Sequence, residues 1–232
     1  MNQNFSDSQI IFEDNHLLVI NKKAGQLVQG DKTGDLSLLE LIKDFIKKRD
    51  EKPGNVFLGL VHRIDRPTSG LVIYAKTSKA LTRLTQMVKN REIKKIYWAI
   101  VGKEMIPKSQ RVIHYLQKNE KTNKATVFIK PTDKAKESIL NYQIIKTLDN
   151  YQLLEIDLET GRHHQIRAQL SKIGVPIKGD LKYGAPRSNP DGGISLHARK
   201  LEFEHPVTKE KVEIVAPVPQ NDAIWTACET ID

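Results

Sequence analysis

The order of hydrophobic and polar residues along this chain predicts both helices and strands. Apolar residues that recur three or four positions apart predict helices at residues 36–49 and 78–90. Short runs of β-branched and aromatic residues, some of them alternating with polar residues, predict strands. The predicted strands are residues 10–12, 17–21, 56–61, 71–75, 93–102, 125–130, 138–147, 151–158, 195–203 and 211–215.

A third helix is predicted to begin near Gly161, directly after the alternating strand at 151–158. Its apolar edge is formed by Ile166, Leu170 and Ile173, and Gly174 with Pro176 ends it. Runs of neighbouring strands with a few separate helices predict an α+β fold with a mixed, mostly antiparallel central sheet. No repeat or long linker divides the chain, so one domain over residues 1–232 is expected, with a core at about 10–215 and polar tails.

The composition limits the class of protein. Hydrophobic residues make up 39% of the 232 residues, and no apolar run approaches the roughly 20 residues of a membrane-spanning helix. Residues 1–8 are polar and lack the apolar centre of a signal peptide. Cys228 is the only cysteine, which excludes a disulfide framework and a cysteine metal site. These features predict a cytoplasmic protein that does not enter a membrane.

The chain is basic, with 37 Lys and Arg residues against 28 Asp and Glu and a formal net charge of +9 at pH 7. The excess is concentrated at residues 76–95, where Glu92 is the only acidic residue. The basic residues of this stretch are Lys76, Lys79, Arg83, Lys89, Arg91, Lys94 and Lys95. Such a basic face suits a polyanion, usually RNA or DNA. The alternative is a solvated helix face that carries lysines for solubility.

Residues 61–70 place one carboxylate between two guanidinium groups at the junction of two apolar runs. Asp65 should stay ionised there, because the positive charges of Arg63 and Arg66 favour its anion. An ionised Asp can serve as a nucleophile or as an electrostatic stabiliser. The alternative is a solvated turn with a structural ion pair.

A second basic cluster precedes the apolar edge of the third helix. If that helix begins near Gly161, then His163, His164 and Arg167 lie within one turn of each other. The positive end of the helix favours anions. Arg167 should be partly buried and therefore needs an acid partner, for which Asp65 is the candidate. The adjacent histidines have no cysteine or acidic triad near them in sequence, so no metal site is predicted.

Two aromatic residues, Tyr97 and Trp98, follow Lys94 and Lys95 in the strand that leaves the basic stretch. Unstacked bases of RNA bind on aromatic ring faces. Adjacent residues of a strand point to opposite faces of the sheet. Only one of the two rings can therefore serve a nucleic-acid site, and the other should pack in the core.

Taken together, these segments resemble the RluA-type pseudouridine synthases, which convert uridine in ribosomal or transfer RNA to its C-linked isomer. The resemblance covers residues 10–215. Its blocks, in family order, are NKKAG at 21–25, HRIDRPTSG at 62–70, KIY at 95–97, LETGRHHQIR at 158–167, GDxxYG at 179–184, and LHA at 196–198 with HP at 205–206. Lys23, Ile64 and Gln169 depart from the family pattern, and Gln169 replaces a common His. None of the three removes a charged catalytic group.

The resemblance implies a role for each of several residues. Asp65 corresponds to the catalytic aspartate, and Arg167 to its basic partner. Tyr97 corresponds to the ring that stacks on the flipped uracil, and Arg63 to the Arg that fills the vacated RNA stack. Ile166 is expected to line the uracil pocket. The further candidates for RNA binding are His62, Arg66, Arg162 and Lys95, although Arg66 is more readily interpreted as a structural or backbone contact.

The resemblance also implies an active-site cleft across the sheet, no cofactor and no metal. The expected partner is tRNA or ribosomal RNA. Pro67 and the lack of room for a small N-terminal RNA-binding domain favour tRNA slightly, and a monomer is expected. The alternatives are an RNA-binding or remodelling module with dispensable catalysis, and a ribosome-associated protein that binds RNA through its basic face alone.

Overall fold

A computed structural model describes residues 5–30, 34–220 and 222–229 of the chain. The chain divides into two compact units, the first comprising Met1–Ile93 with Ala198–Pro217 and the second Lys94–His197 with Val218–Asp232. Residues 1–4 and 230–232, part of the predicted polar tails, lie outside the described residues. The prediction of one catalytic domain over residues 1–232 stays a prediction.

The described residues form eleven strands and four α-helices. In chain order the strands are β1 Ile10–Glu13, β2 Leu17–Lys22, β3 Gly59–Leu60, β4 Ser69–Ala75, β5 Lys94–Gly102, β6 Ser109–Asn119, β7 Lys124–Phe128, β8 Lys136–Thr147, β9 Tyr151–Leu158, β10 Leu196–Glu204 and β11 Lys211–Val215. The helices are α1 Leu38–Arg49, α2 Ser78–Lys89, α3 Gln165–Lys172 and α4 Ala223–Glu229. No helix of this described part is long and apolar enough to cross a bilayer.

In the first unit, β2 lies between β1 and β4, and β10 lies on the other side of β4. β1 and β2 pair antiparallel, as do β2 and β4, with Leu17 opposite Ala75 and Lys22 opposite Gly70. Every residue of β4 is buried. Apolar residues of β2 and β4 pack with Leu84 of α2 in one core cluster. This packing fixes the start of β4, which directly follows the predicted Asp65 segment.

In the second unit the strand order is β5, β9, β8, β6, β7, and every neighbouring pair is antiparallel. Trp98, Ile100 and Leu153 pack with Trp225 of α4 in the core of this unit. The sequence did not predict β6 because the buried positions of that strand include the polar His114, whereas Ile113 is exposed. The sequence also did not predict α4.

The observed strand pairs and separate helices confirm an α+β fold with a mostly antiparallel sheet. Two boundaries were predicted wrongly. The strand expected at residues 56–61 is only Gly59–Leu60. The third helix begins at Gln165 rather than near Gly161, because Gln165 Oε1 accepts hydrogen bonds from the Thr160 hydroxyl (2.8 Å) and from the Arg162 N–H (3.0 Å), which hold residues 160–165 in a loop.

Candidate active site

Asp65 lies in a loop of the first unit between β3 and β4. The Thr68 N–H donates to the Asp65 carbonyl (3.0 Å), which closes a turn directly after the carboxylate. Gly70 has a φ of +109°, and a Cβ at this position would lie 2.4 Å from the Ala198 carbonyl oxygen of β10. Only glycine fits that combination of conformation and close backbone approach. The Asp65 loop is therefore fixed at its end by the sheet itself.

Lys22, at the end of β2, supports the backbone of the same loop. Its side chain is fully buried, and its Nζ donates to the carbonyls of Lys23, Gln26 and Arg66, each at 3.0 Å. The Gly25 N–H donates to the same Arg66 carbonyl (2.8 Å). Two donors thus hold the carbonyl of the residue that follows Asp65, so the backbone beside the carboxylate has a defined position.

Burial lowers the pKa of Lys22 from 10.5 to about 7. The Asp65 carboxylate acts in the opposite direction and raises this pKa, whereas the Arg66 guanidinium lowers it. Taking an ammonium group out of water disfavours the charged form. Lys22 is consequently a buried amine whose charged form is disfavoured, and the sequence, with two adjacent lysines at 22 and 23, did not reveal it.

The two arginines that flank Asp65 differ in their contacts. Arg63 is exposed to solvent. The Arg66 Nε donates to the Gly25 carbonyl (3.0 Å), and its Nη2 lies 2.9 Å from Asp35 Oδ2. The structural contact expected for Arg66 is therefore present. His62 Nε2 accepts the Ile73 N–H of β4 (3.3 Å), so this ring also has a structural contact.

Arg167 lies in α3 of the second unit and is buried with an acid partner. Its Nε donates to Asp180 Oδ2 (2.7 Å) and its Nη2 donates to Asp180 Oδ1 (2.9 Å). The Arg167 side chain is 6% exposed and that of Asp180 is 1% exposed. Parallel hydrogen bonds of this kind are the strong form of an Arg–carboxylate pair. The expected burial and acid partner are present, but the partner inside this unit is Asp180; the predicted pairing with Asp65 stays a prediction.

The other candidates of the second unit lie around the start of α3. Ile166 is buried. The Arg162 Nε donates to the Glu137 carbonyl of β8 (3.1 Å). Lys95 Nζ lies near Gly161, 3.8 Å from where a Cβ of that glycine would be, and burial lowers the pKa of Lys95. These cations are therefore partly held by the protein rather than freely extended into solvent.

The two aromatic residues of β5 point to opposite faces, as the strand geometry requires. Trp98 packs with Ile96 and Ile100 in the core of the second unit, and its indole N–H donates to Glu155 (3.2 Å). Tyr97 lies on the other face and is 7% exposed. The prediction that one ring packs in the core is confirmed, and that ring is Trp98.

Two cations of the predicted basic stretch have partners inside the first unit. Lys76 Nζ lies 2.7 Å from Glu13 Oε1 and donates to the Asp14 carbonyl. Arg83 Nη1 donates to the Pro206 carbonyl (2.7 Å). The stretch is thus less available to a polyanion than its composition indicates.

Sequence reasoning assigned no role to three residues that the structure places around these groups, namely Lys22, Asp180 and Tyr183. All three occur in the blocks quoted for the family resemblance. Tyr183 is buried, its hydroxyl lies 2.9 Å from His164 Nδ1, and Arg167 Cζ lies 5.1 Å from its ring centroid. The Gly-Asp-x-x-Tyr-Gly block was the available signal for Asp180 and Tyr183.

Comparisons with known proteins identify the family of this chain. The family described as RNA pseudouridylate synthase matches residues 16–172. The chain belongs to this family of isomerases, which convert uridine to pseudouridine in RNA, and specifically to its RluA type.

Two relatives illustrate the similarity. An uncharacterized RNA pseudouridine synthase of Bacillus subtilis, YlyB, is 33% identical over 220 residues, covering 94% of this chain and 71% of the relative. Ribosomal large subunit pseudouridine synthase D of Xylella fastidiosa is 32% identical over 228 residues, covering 91% of this chain and 66% of the relative. The chain thus spans about two thirds of the length of these relatives.

Solved structures share the fold. Human RNA pseudouridylate synthase domain containing 4 superposes with a TM-score of 0.79 at 24% identity, covering 95% of this chain and 92% of that one. Human RNA pseudouridylate synthase domain containing 1 gives a TM-score of 0.71 at 25% identity, with 94% and 87% covered. These values confirm the predicted fold class.

Proposed function

We propose that this chain isomerises uridine to pseudouridine in structured RNA, with Asp65 as the catalytic carboxylate. The observation that carries the proposal is the Asp65 loop, in which a half-buried carboxylate is followed by a carbonyl held by Lys22 and Gly25. A defined backbone beside the reacting group favours a chemical role over that of a solvated turn.

The reaction breaks the N1–C1′ glycosidic bond, turns the uracil and joins C5 to C1′. No redox step is needed, and one carboxylate suffices because uracil returns to the sugar, a reaction from which water must be excluded. Asp65 can attack C1′, add to C6 of the base, or stabilise an oxocarbenium-like state while C2′ loses a proton. In the last scheme Tyr97 is a candidate base. No metal or cofactor enters any of the three schemes.

The other residues receive roles from the same proposal. Arg167 is the basic partner of the carboxylate, Tyr97 stacks on the uracil, and Ile166 lines the uracil pocket. Removing a base from its stack costs a few kcal/mol. Arg63 offsets part of that cost, because a planar guanidinium stacks on bases and also contacts phosphate. The exposure of Arg63 to solvent supports this role.

RNA binding is proposed to use the cations that retain exposure. Lys79, Lys89 and Arg91 are more suitable for phosphate contacts than Lys76 and Arg83, which contact Glu13 and Pro206. Phosphate contacts by Lys and Arg make binding salt-sensitive. His62, Arg162 and Lys95 complete the proposed RNA contacts, whereas Arg66 is assigned to the structural contacts with Gly25 and Asp35.

The proposed target is ribosomal RNA, since several relatives are named for the ribosomal large subunit. Transfer RNA is the alternative, favoured by Pro67 in the turn after Asp65. Pseudouridine mapping in RNA from a strain that lacks this gene distinguishes the two. Loss of a site in large-subunit RNA supports the proposal, whereas loss only in tRNA contradicts this choice of target. A monomer and a cytoplasmic location remain predictions.

The reaction itself is tested with RNA that contains uridine tritiated at C5. Joining C5 to C1′ displaces that hydrogen, so the purified protein should release tritium into water in proportion to the pseudouridine formed. A protein that binds RNA without catalysis, the competing interpretation, retains the RNA on a filter and releases none. Retention without release would contradict the proposal.

A further inference from the structure

The side chain of Tyr183 contacts groups on three separate segments of the second unit. Its hydroxyl oxygen accepts the Ala125 N–H of β7 (2.7 Å) and lies 2.9 Å from His164 Nδ1. Its ring lies below the Arg167 guanidinium, with Cζ 5.1 Å from the ring centroid. Its own carbonyl accepts the Ser171 hydroxyl of α3 (2.6 Å). Tyr183 therefore joins the loop that follows α3 to the first and last turns of that helix.

The hydrogen bonds of the Tyr183 hydroxyl favour one position for the proton of a neutral His164. A backbone N–H can only donate, so the contact with Ala125 uses the oxygen as an acceptor. If the hydroxyl donates to His164 Nδ1, the same group acts as acceptor for one neighbour and as donor for the other. A neutral imidazole that accepts at Nδ1 carries its hydrogen on Nε2.

The backbone of His164 has an unfavourable conformation at the start of α3. His164 is the residue before α3 and has a φ of 52° and a ψ of 28°, a left-handed conformation that residues with a side chain adopt at a cost. Its carbonyl accepts the Ala168 N–H (2.9 Å), which begins the helix. Its ring is stacked on His163 at 3.8 Å and meets the Tyr183 ring edge-on at 5.6 Å. Such strain persists only where the surroundings determine the conformation.

We propose that Tyr183 is a positioning residue for the reaction. Its hydroxyl fixes neutral His164 as the tautomer with hydrogen on Nε2 and holds the left-handed turn in which α3 begins. Its ring packs against the guanidinium of Arg167, which lies in the first turn of that helix. The two hydrogen bonds from Arg167 to Asp180 fix the plane of the same guanidinium. The inference rests on the proposed function, in which Arg167 is the basic partner of the catalytic carboxylate.

The first test measures the tautomer without RNA. Long-range proton–nitrogen NMR spectra of protein labelled with nitrogen-15 in histidine distinguish a protonated from an unprotonated ring nitrogen. We expect wild-type His164 to be protonated on Nε2 at a pH where it is neutral. In Tyr183→Phe, which keeps the ring and removes the hydroxyl, a mixture of both tautomers is expected. Wild-type His164 protonated on Nδ1, or a variant with the wild-type tautomer, would overturn the proposal.

The second test separates positioning from a general loss of structure. Tyr142→Phe is the matched control, since it removes a hydroxyl of the same unit that donates to Gln110 Oε1 (3.3 Å). In the tritium-release assay, Tyr183→Phe should lower kcat by about 10-fold to 100-fold, with KM close to that of the wild type. Tyr142→Phe should leave both parameters unchanged. Equal kcat values for wild type and Tyr183→Phe would overturn the proposal.

Different results contradict the proposed function and the proposed role of Tyr183. A wild-type protein that releases no tritium contradicts the proposed function. A His164 tautomer with hydrogen on Nδ1 contradicts the role of Tyr183, and this measurement needs neither RNA nor activity. If Tyr183→Phe does not fold, the wild-type tautomer still decides the question.

Discussion

The two units hold their candidate residues in opposite ways. In the first unit, Asp65 lies at a half-buried position, and the hydrogen bonds around it join backbone groups, Lys22 and Arg66. In the second unit, Arg167 is itself buried, and its own guanidinium makes the structural contact with Asp180. A change at Arg167 should therefore alter the stability of its unit as well as the chemistry proposed for it.

The largest predicted effect concerns the pair in the second unit. Asp180→Asn removes a charge from the buried pair with Arg167, and breaking such a pair should cost about 3–5 kcal/mol of unfolding free energy. Urea denaturation measures this difference. The control is Glu120→Gln in the same unit, because its pair with Lys118 is largely exposed, at 77% and 39%. That change should cost less than about 1 kcal/mol. Equal losses of unfolding free energy in Asp180→Asn and Glu120→Gln would contradict this contrast between a buried and an exposed ion pair.

A substitution that tests the backbone of the first unit is Gly70→Ala. The new Cβ would lie 2.4 Å from the Ala198 carbonyl oxygen, at a φ of +109°. The loss in unfolding free energy should be about 3 kcal/mol, near the upper end of the usual range for single substitutions. At Gly54, which has no atom within 4 Å of an added Cβ, the same change should be nearly neutral. A Gly70→Ala protein as stable as Gly54→Ala would show that the loop is not fixed by β10.

A smaller effect, visible only as a pH dependence, is predicted for Lys22. The folded chain has a Lys22 pKa of about 7 and the unfolded chain the ordinary 10.5, so between these values the unfolded chain binds more protons. Raising the pH therefore stabilises the folded chain, by about 2 kcal/mol from about pH 7 to about pH 9. Lys22→Met should lack this gain.

The Lys22 prediction is checked by urea denaturation of both proteins at the two pH values. The stability of the wild type relative to Lys22→Met should increase at the higher pH. If the two proteins depend on pH in the same way, Lys22 does not lose its proton in this range, and the loop would then contain a permanent ammonium.

The sequence predicted those features that depend on neighbours along the chain. Alternation along β9 predicted a strand, and the opposite orientation of adjacent residues predicted that either Tyr97 or Trp98 packs in the core. The partner of Arg167 could not be predicted in this way, because Asp180 reaches it through a loop whose conformation is set by tertiary packing. The buried face of β6 was missed because it includes His114, a polar residue in a position where apolar ones are expected.

The burial of Lys22 also could not be predicted from its neighbours along the chain. Two consecutive lysines are typical of a solvated surface, yet the first is fully buried, since three carbonyls from two loops accept its hydrogen bonds. Such a site depends on backbone groups, which every sequence has, and only the fold brings them together. The start of α3 was predicted too early for a related reason, because the side chain of Gln165 closes a loop that resembles a helix start in sequence.

The central claim is that Asp65 performs the chemistry from a loop whose backbone is held by Lys22 and Gly25. Its most direct test is single-turnover tritium release by Asp65→Asn from RNA with uridine tritiated at C5, beside Asp44→Asn, the same change at an exposed position of α1. Asp65→Asn should fold, keep the RNA affinity of the wild type and release no tritium, while Asp44→Asn releases it at the wild-type rate. Tritium release by Asp65→Asn at the wild-type rate would contradict the account.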